Sequence, residues 1–278
     1  MLSRGLFVVV AMVAVVATVS GVLVLSGRGD SDSGGASANA AAADPALAAK
    51  MRRLQFYDWE PNVIGPRGRP APGDAAATGG TNAGRTGSLS LYDAVLRASR
   101  RPARVEPDNG RTTSLYYVVD RKRRRVFGRG EPSRVWALAA VPAARRAVVR
   151  VYEVRPGTAL VGAEGSPRRW YVLEDDVALR GTELRNPRRA TDPITGRPVV
   201  LFEFTEPGRV RFQQLTRTMA RRGAASSLRR IKDDPSVHNQ HFAVVLDRQI
   251  VTTPFVDFRL NPDGLDGRAG AQLSARLP

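Results

Sequence analysis

No cysteine occurs anywhere in the sequence. This excludes disulfide staples, thiolate metal centres and a cysteine nucleophile, and an exported chain without disulfides must hold itself together by packing alone. Histidine is almost missing as well, with only His238 and His241. Their H-x-x-H spacing would put both rings on one face of a helix. The residues that follow, HFAVVLD, read as a strand, in which positions three apart point to opposite faces. With no thiolate to complete a zinc set, the pair reads as solvated or lightly packed histidines, and no metal or cofactor is expected. Aromatic residues make up only 6% of the chain, so any core must be built mainly from aliphatic side chains.

Several catalytic signatures are also missing. There is no G-x-S-x-G elbow, P-loop or dinucleotide-binding glycine fingerprint. Glu174, Asp175 and Asp176 are adjacent, and three neighbouring side chains in an extended chain cannot converge on one atom, so they read as a turn. No catalytic residue is assigned, and the chain is expected not to be an enzyme.

Positive charge is abundant by contrast. The formal net charge is +17, and Lys50, Lys122 and Lys232 are the only lysines, so nearly all of it is arginine. The arginines are scattered, as expected for ordinary solvated surface positions. Attraction to anionic lipid headgroups is the functional version of the same feature. The densest run, Arg121 to Arg125 (RKRRR), follows an apolar segment and reads as a hairpin turn. It lacks the aromatic platforms a nucleic-acid groove would need, so no nucleic acid is expected as a partner.

One long apolar run is present, Leu6 to Leu25, without a charge. Twenty helical residues span about 30 Å, the thickness of a bilayer core. Arg4 precedes the run, while Asp30 and Asp32 follow Arg28 closely, which favours an inside amino terminus and a translocated remainder. A cleaved signal peptide is the competing reading, with small residues available at Ala36 to Pro45. The run exceeds the usual signal h-region, so an uncleaved signal anchor is the reading adopted. No later apolar run is long enough to cross a bilayer, giving a single-pass protein.

The expected organisation is a transmembrane segment over 1–27, a flexible linker over 28–88, a small α+β unit over 89–165 and a second unit over 166–278. Within the linker, Leu54 to Gly65 (LQFYDWEPNVIG) gathers Phe56, Tyr57 and Trp59, which reads as interfacial anchoring or as a strand packed on the domain. Leu91 to Ser99 has helical spacing, Ser114 to Asp120 and Ala147 to Val154 read as strands, and Pro132 to Arg146 as a helix broken at Pro142. Arg169 to Asp175 is a strand. Pro198 to Phe204 (PVVLFEF) is nearly continuously apolar, as for a strand covered on both faces. Thr205 then suits an N-cap and Pro207 the first helical turn; Phe212, Leu215 and Met219 share one face, and Gly223 is the expected stop. Gln240 to Thr253 gives two strands around Asp247-Arg248. The fold class is α+β.

From Trp170 to about Leu273 these segments, in this order, resemble the head subdomain of the first periplasmic domain of SecD in the SecDF family. The segments are WYVLEDDVALRGTELRNP, PVVLFEFTEPGRVRFQQLT, HFAVVLDRQIVTTPFVDF and NPDGLDGRAGAQLS. Two local departures stand out. Arg248 occupies a tight turn where glycine or asparagine is usual, and Ser274-Ala275 stands where the family has a glycine. The resemblance implies a SecD-like protein truncated to one transmembrane helix, a non-enzymatic accessory of Sec-dependent translocation that binds preprotein or the translocon. A stand-alone extracytoplasmic scaffold module, or a truncated non-functional SecD remnant, is the alternative. Implied partners are a SecF-like subunit, the SecYEG translocon, unfolded secretory polypeptide and membrane lipids. The residues it suggests for polypeptide contact are Phe202, Phe204, Phe212, Val251, Phe255 and Phe258.

Overall fold

All seven residues of the strand Gln240–Leu246 are buried. Successive side chains of a strand face opposite ways, so this strand must lie between two packed layers. The structure, a computed structural model, describes residues 22–24, 44–65, 89–104, 111–130, 149–163, 168–192 and 195–274. In chain order the elements are β1 (Val22–Val24), α1 (Pro45–Arg52), β2 (Leu54–Asp58), α2 (Trp59–Asn62), α3 (Leu91–Ala98), β3 (Leu115–Asp120), β4 (Arg125–Gly130) and β5 (Val149–Val154). They continue with β6 (Thr158–Ala163), β7 (Arg169–Glu174), β8 (Leu179–Arg180), β9 (Leu184–Thr191), β10 (Pro198–Phe204), α4 (Glu206–Arg229), β11 (Gln240–Leu246), β12 (Gln249–Thr252), β13 (Phe255–Val256) and β14 (Ala271–Ser274).

A seven-stranded sheet runs in the order β7-β6-β12-β11-β2-β8, with β13 also paired to β11. One face of β11 (Phe242, Val244, Leu246) joins Phe56 of β2 and Phe212, Leu215 and Met219 of α4. The other face (Ala243, Val245) joins Tyr57, Trp59, Tyr171 and Leu173. A four-stranded sheet, β1-β14-β10-β9, packs Val200, Phe202 and Phe204 into the α4 side. A three-stranded sheet, β4-β3-β5, packs Tyr117 and Val119 on α3.

The sequence explains α4 at its start. The Thr205 hydroxyl accepts from the Gly208 N–H at 3.2 Å, and Pro207 sits in the first turn, where its missing N–H costs nothing. Phe212 is stacked on Phe204 at 4.7 Å and meets Phe242 edge-on at 5.7 Å, tying both sheets to the helix. The helix does not stop at Gly223; it continues to Arg229. Gly223 lies against its neighbours so closely that a Cβ there would sit 2.9 Å from the His238 carbonyl oxygen and 3.0 Å from the Phe258 ring. Its glycine serves close packing rather than termination.

Several further expectations change. Residues 45–65 are not linker: α1 packs Leu47 and Met51 into the core, and β2 pairs with β11 from Phe242↔Asp58 to Leu246↔Leu54. The aromatic concentration at Phe56, Tyr57 and Trp59 is therefore strand packing. The boundary placed at 165/166 falls between β6 and β7, which pair from Thr158↔Glu174 to Ala163↔Arg169, so these residues belong to one sheet. On β10, Leu201 and Glu203 are only half-buried, so that strand is not sealed on both faces.

Most of the run read as a membrane helix, and the helix read over Pro132 to Arg146, lie outside the described residues, as does Ala275. The end of the apolar run, Val22–Val24, is a strand paired antiparallel with Gln272–Ser274. Among the described residues no helix is long and apolar enough to cross a membrane.

The β11–β12 turn has Asp247 at φ +48° and Arg248 at φ +66°, a region that side chains other than glycine enter at a cost of about 1–2 kcal/mol each. Compensation is visible. Asp247 pairs with Arg53 at 3.0 Å, the Arg248 guanidinium donates to the Tyr117 hydroxyl at 3.1 Å, and the Arg248 carbonyl accepts from the Gly162 N–H at 2.8 Å. The arginine that breaks the usual turn chemistry thus clips the large sheet to the three-stranded one.

Gly223→Ala separates the two roles of that glycine. Helix propensity alone predicts stabilisation by about 1 kcal/mol. The close approach predicts the opposite, a lower Tm in thermal unfolding, and a raised Tm would refute the packing role.

Candidate functional site

At the end of β2 the chain turns directly into α2, placing Asp58, Glu60 and Asn62 beside the middle of α4 and the start of β11. Glu60 is 3% exposed. Its carboxylate accepts from the His241 backbone N–H at 2.9 and 3.0 Å and lies 2.7 Å from His241 Nδ1. Beside it the Arg222 guanidinium donates to both Asp58 oxygens at 2.9 and 2.6 Å and to Gln240 Oε1 at 2.6 Å. It also stands 4.0 Å from Glu60. A fork matched to a carboxylate is the geometry arginine provides and lysine does not.

Burial raises the Asp58 carboxyl above the ordinary aspartate range; the Arg222 fork opposes this, while Glu60 and Asp176 add repulsion. Above this network opens a cleft of about 290 Å³. It is lined by Asp58, Asn62 and Asp176 on the sheet side and by Arg211, Gln214 and Thr218 of α4. Around this open cleft the carboxylates and amide oxygens can accept N–H groups from an extended chain or hold a cationic side chain, while the amide N–H groups and the guanidinium can donate to its carbonyls. Among the described residues no group of three or more histidine, aspartate or glutamate side chains is arranged to hold a metal ion.

Both histidines are buried, where solvated or lightly packed side chains are expected from the sequence. His241 sits on Glu60, and His238 lies 3.0 Å from the Ser226 hydroxyl and 3.7 Å from Asp233. The acidic run divides in the same way. Glu174 pairs with Arg101 and, at 3.8 Å, with Arg104. Asp175 is buried, accepting from the Tyr57 hydroxyl and from the Arg111 N–H, each at 2.9 Å. Asp176 alone reaches the cleft. Burial, reinforced by the Asp175 charge, pushes the Tyr57 hydroxyl far above its usual range, so it remains a donor. Burial likewise lowers Arg111, whose guanidinium donates to the carbonyls of Val154, Arg155 and Thr158.

The residues suggested for polypeptide contact do not form a groove. Phe202, Phe204 and Phe212 are buried in the core, where no outside chain can reach them. Val251 and Phe258 are partly buried and packed on the same cluster, and Phe255 is half-buried with its ring 6.2 Å from His241. Their apolar character serves packing. Asp58, Glu60 and Arg222 were missed because their partners are far away in sequence; the available signal was the density of chemistry in FYDWE.

Comparison with known proteins bears on residues 156–273, which match the family model described as SecDF, P1 head subdomain. That range carries β6 to β14 with α4, including Arg222, Gln240 and His241 of the network. No curated protein matches the sequence. Among solved structures, one titled "Crystal structure of SecDF in Super-membrane-facing form" matches at 14% identity and a TM-score of 0.26, over 83% of this chain and 23% of that one. This chain therefore spans about a quarter of that protein's length.

Two measurements test the network. Glu60→Leu leaves the His241 N–H without its acceptor and is expected to cost about 3 kcal/mol or more, whereas Glu60→Gln keeps an acceptor and costs less. Equal losses in urea unfolding would contradict the assignment. For Asp58 the folded-state pKa is raised, so the native state holds that proton more tightly than the unfolded chain. Its contribution is then largest at low pH and is lost as pH rises through the window just above the ordinary aspartate value. Compared with Asp58→Asn, the wild type should lose relative stability across that window between about pH 3 and pH 7; a gain would reverse the sign. Residues 156–273 thus form a SecD-like segment, similar to the P1 head subdomain of SecDF.

Proposed function

We propose that this protein is a non-enzymatic accessory component of Sec-dependent protein translocation. In this reading the apolar run that begins at Leu6, upstream of the Val22–Val24 strand, anchors it by a single membrane pass, with its α+β domain outside the cytoplasm, and it contacts preprotein or the translocon, including a SecF-like subunit. The observation that carries the reading is the match of residues 156–273 to the SecDF P1 head subdomain. That range contains the whole of α4 and the strands β8, β10, β11 and β13 beside it, while β2 lies outside it.

The contact surface in this reading is not the phenylalanine cluster, which is core. The cleft between the β2–α2 corner and α4 is the better candidate, because its open polar groups suit the backbone of an extended chain. The sheet ends offer a second mode. β4 and β5 flank the three-stranded sheet and β9 ends the four-stranded one, and strand addition there would supply main-chain hydrogen bonds with little dependence on sequence. Tolerance of sequence is what a component meeting many exported chains requires.

A photo-crosslinking residue at Gln214 of the full chain, in cells, tests this. The expected adducts are a translocating preprotein or translocon subunits, and deletion of the gene is expected to slow export. Adducts confined to other envelope proteins, with export at the normal rate, would instead favour a stand-alone interaction module.

A further inference from the structure

Large aliphatic side chains on a protein surface are ordinarily scattered, so several exposed within one short stretch need a cause. Leu228 is 74% exposed at the last turn of α4, Ile231 85% exposed in the turn that follows, and Val237 63% exposed in the 3-10 turn at Pro235–His238. Leu260 is also exposed, two residues beyond Phe258, whose ring approaches Gly223 of the same helix. Interleaved with these are Arg221, Arg229, Arg230 and Lys232, all exposed. Elsewhere on α4 the arginines are engaged: Arg209 with Glu206, Arg211 with Glu183, Arg217 with Asp263 and Arg222 with Asp58. Of the carboxylates at the tip, Asp233 faces His238, Asp234 caps the 3-10 turn and Asp257 pairs with Arg259.

We infer that this tip is a membrane-contact site that takes the surface of an anionic lipid bilayer, inserting Leu228, Ile231 and Val237 while its cations meet the headgroups. Apolar side chains flanked by arginine and lysine are the composition of interfacial binding, in which burial and headgroup attraction add. Position agrees, since the aliphatics stand at the end of α4 and in the turns that follow it, each more than half exposed. A second copy of the chain is disfavoured because two like tips would bring their cations face to face. Nucleic acid is disfavoured because aliphatic side chains give bases no stacking platform. Cations at a helix C-terminus also complement its dipole, but that leaves the exposed aliphatics unexplained.

The sequence has no native cysteine, so Ile231→Cys carries a polarity-sensitive fluorophore at one site. Full-length protein labelled there is mixed with vesicles of phosphatidylglycerol and phosphatidylcholine in equal parts, with Thr195→Cys as the remote reporter. The expected result is a blue shift at position 231 and quenching by nitroxide-bearing lipid, with neither at position 195. Replacing Arg229, Arg230 and Lys232 with glutamine should weaken the effect about a hundredfold, with an unchanged Tm showing that the fold is intact. The inference is overturned by no shift at 231, by an equal shift with phosphatidylcholine alone, or by insensitivity to the glutamine changes. It is also overturned by a shift that grows with protein concentration without vesicles, which marks self-association, or one produced only by an unfolded polypeptide. None of these outcomes bears on export, so the result stands apart from the translocation reading.

Discussion

The burial of β11 on both faces is the constraint from which the rest follows. A strand flanked by apolar layers on each side needs a hydrogen-bonded neighbour along each edge, and here those neighbours are β2 and β12. β2 comes from far upstream in the chain, so sheet closure is a long-range event. Once β2 is in place, its alternation sends Phe56 toward α4 and Tyr57 toward Asp175, fixing both layers together. The polar corner of Asp58, Glu60, Arg222 and His241 sits at the end of that same pairing. It exists only because β2 and β11 are side by side.

That corner illustrates how buried charge is managed in a chain without cysteine. A lone buried carboxylate is costly, and Glu60 is accommodated by donors on His241 with Arg222 close by. Such a network adds little net stability over apolar packing, but it penalises any register in which β2 and β11 fail to meet. We therefore regard it as specifying the alignment of the two strands, while the apolar cluster around Phe212 supplies the burial on the α4 side.

Local structure was largely legible in the sequence. Thr205 and Pro207 marked the start of α4, Phe212, Leu215 and Met219 its buried face, and Arg121 to Arg125 the turn between β3 and β4, because each depends on neighbours a few residues away. What was not legible is what depends on distant contacts. Gly223 signals a helix stop locally and is overruled by the approach of His238 and Phe258. Residues 45–65 sit between low-complexity stretches and so read as linker, yet their aromatic content belongs to the centre of a sheet. The apolar continuity of PVVLFEF and Phe258 reads equally as groove or as core, and burial decides for core. The pairing of Glu60 with His241 has no sequence signature at all.

The functional reading and the fold share one premise: residues 54–62 are an integral strand and corner, because they form one wall of the cleft whose other wall is α4. Native-state hydrogen exchange on the full chain tests this most directly. The account predicts that the amides of Phe56 and Tyr57 are protected to the same level as those of Val244 and Val245, near the global unfolding free energy. Amides at 54–58 that exchange at the rate of an open chain, while β11 stays protected, would contradict it and remove the cleft as well.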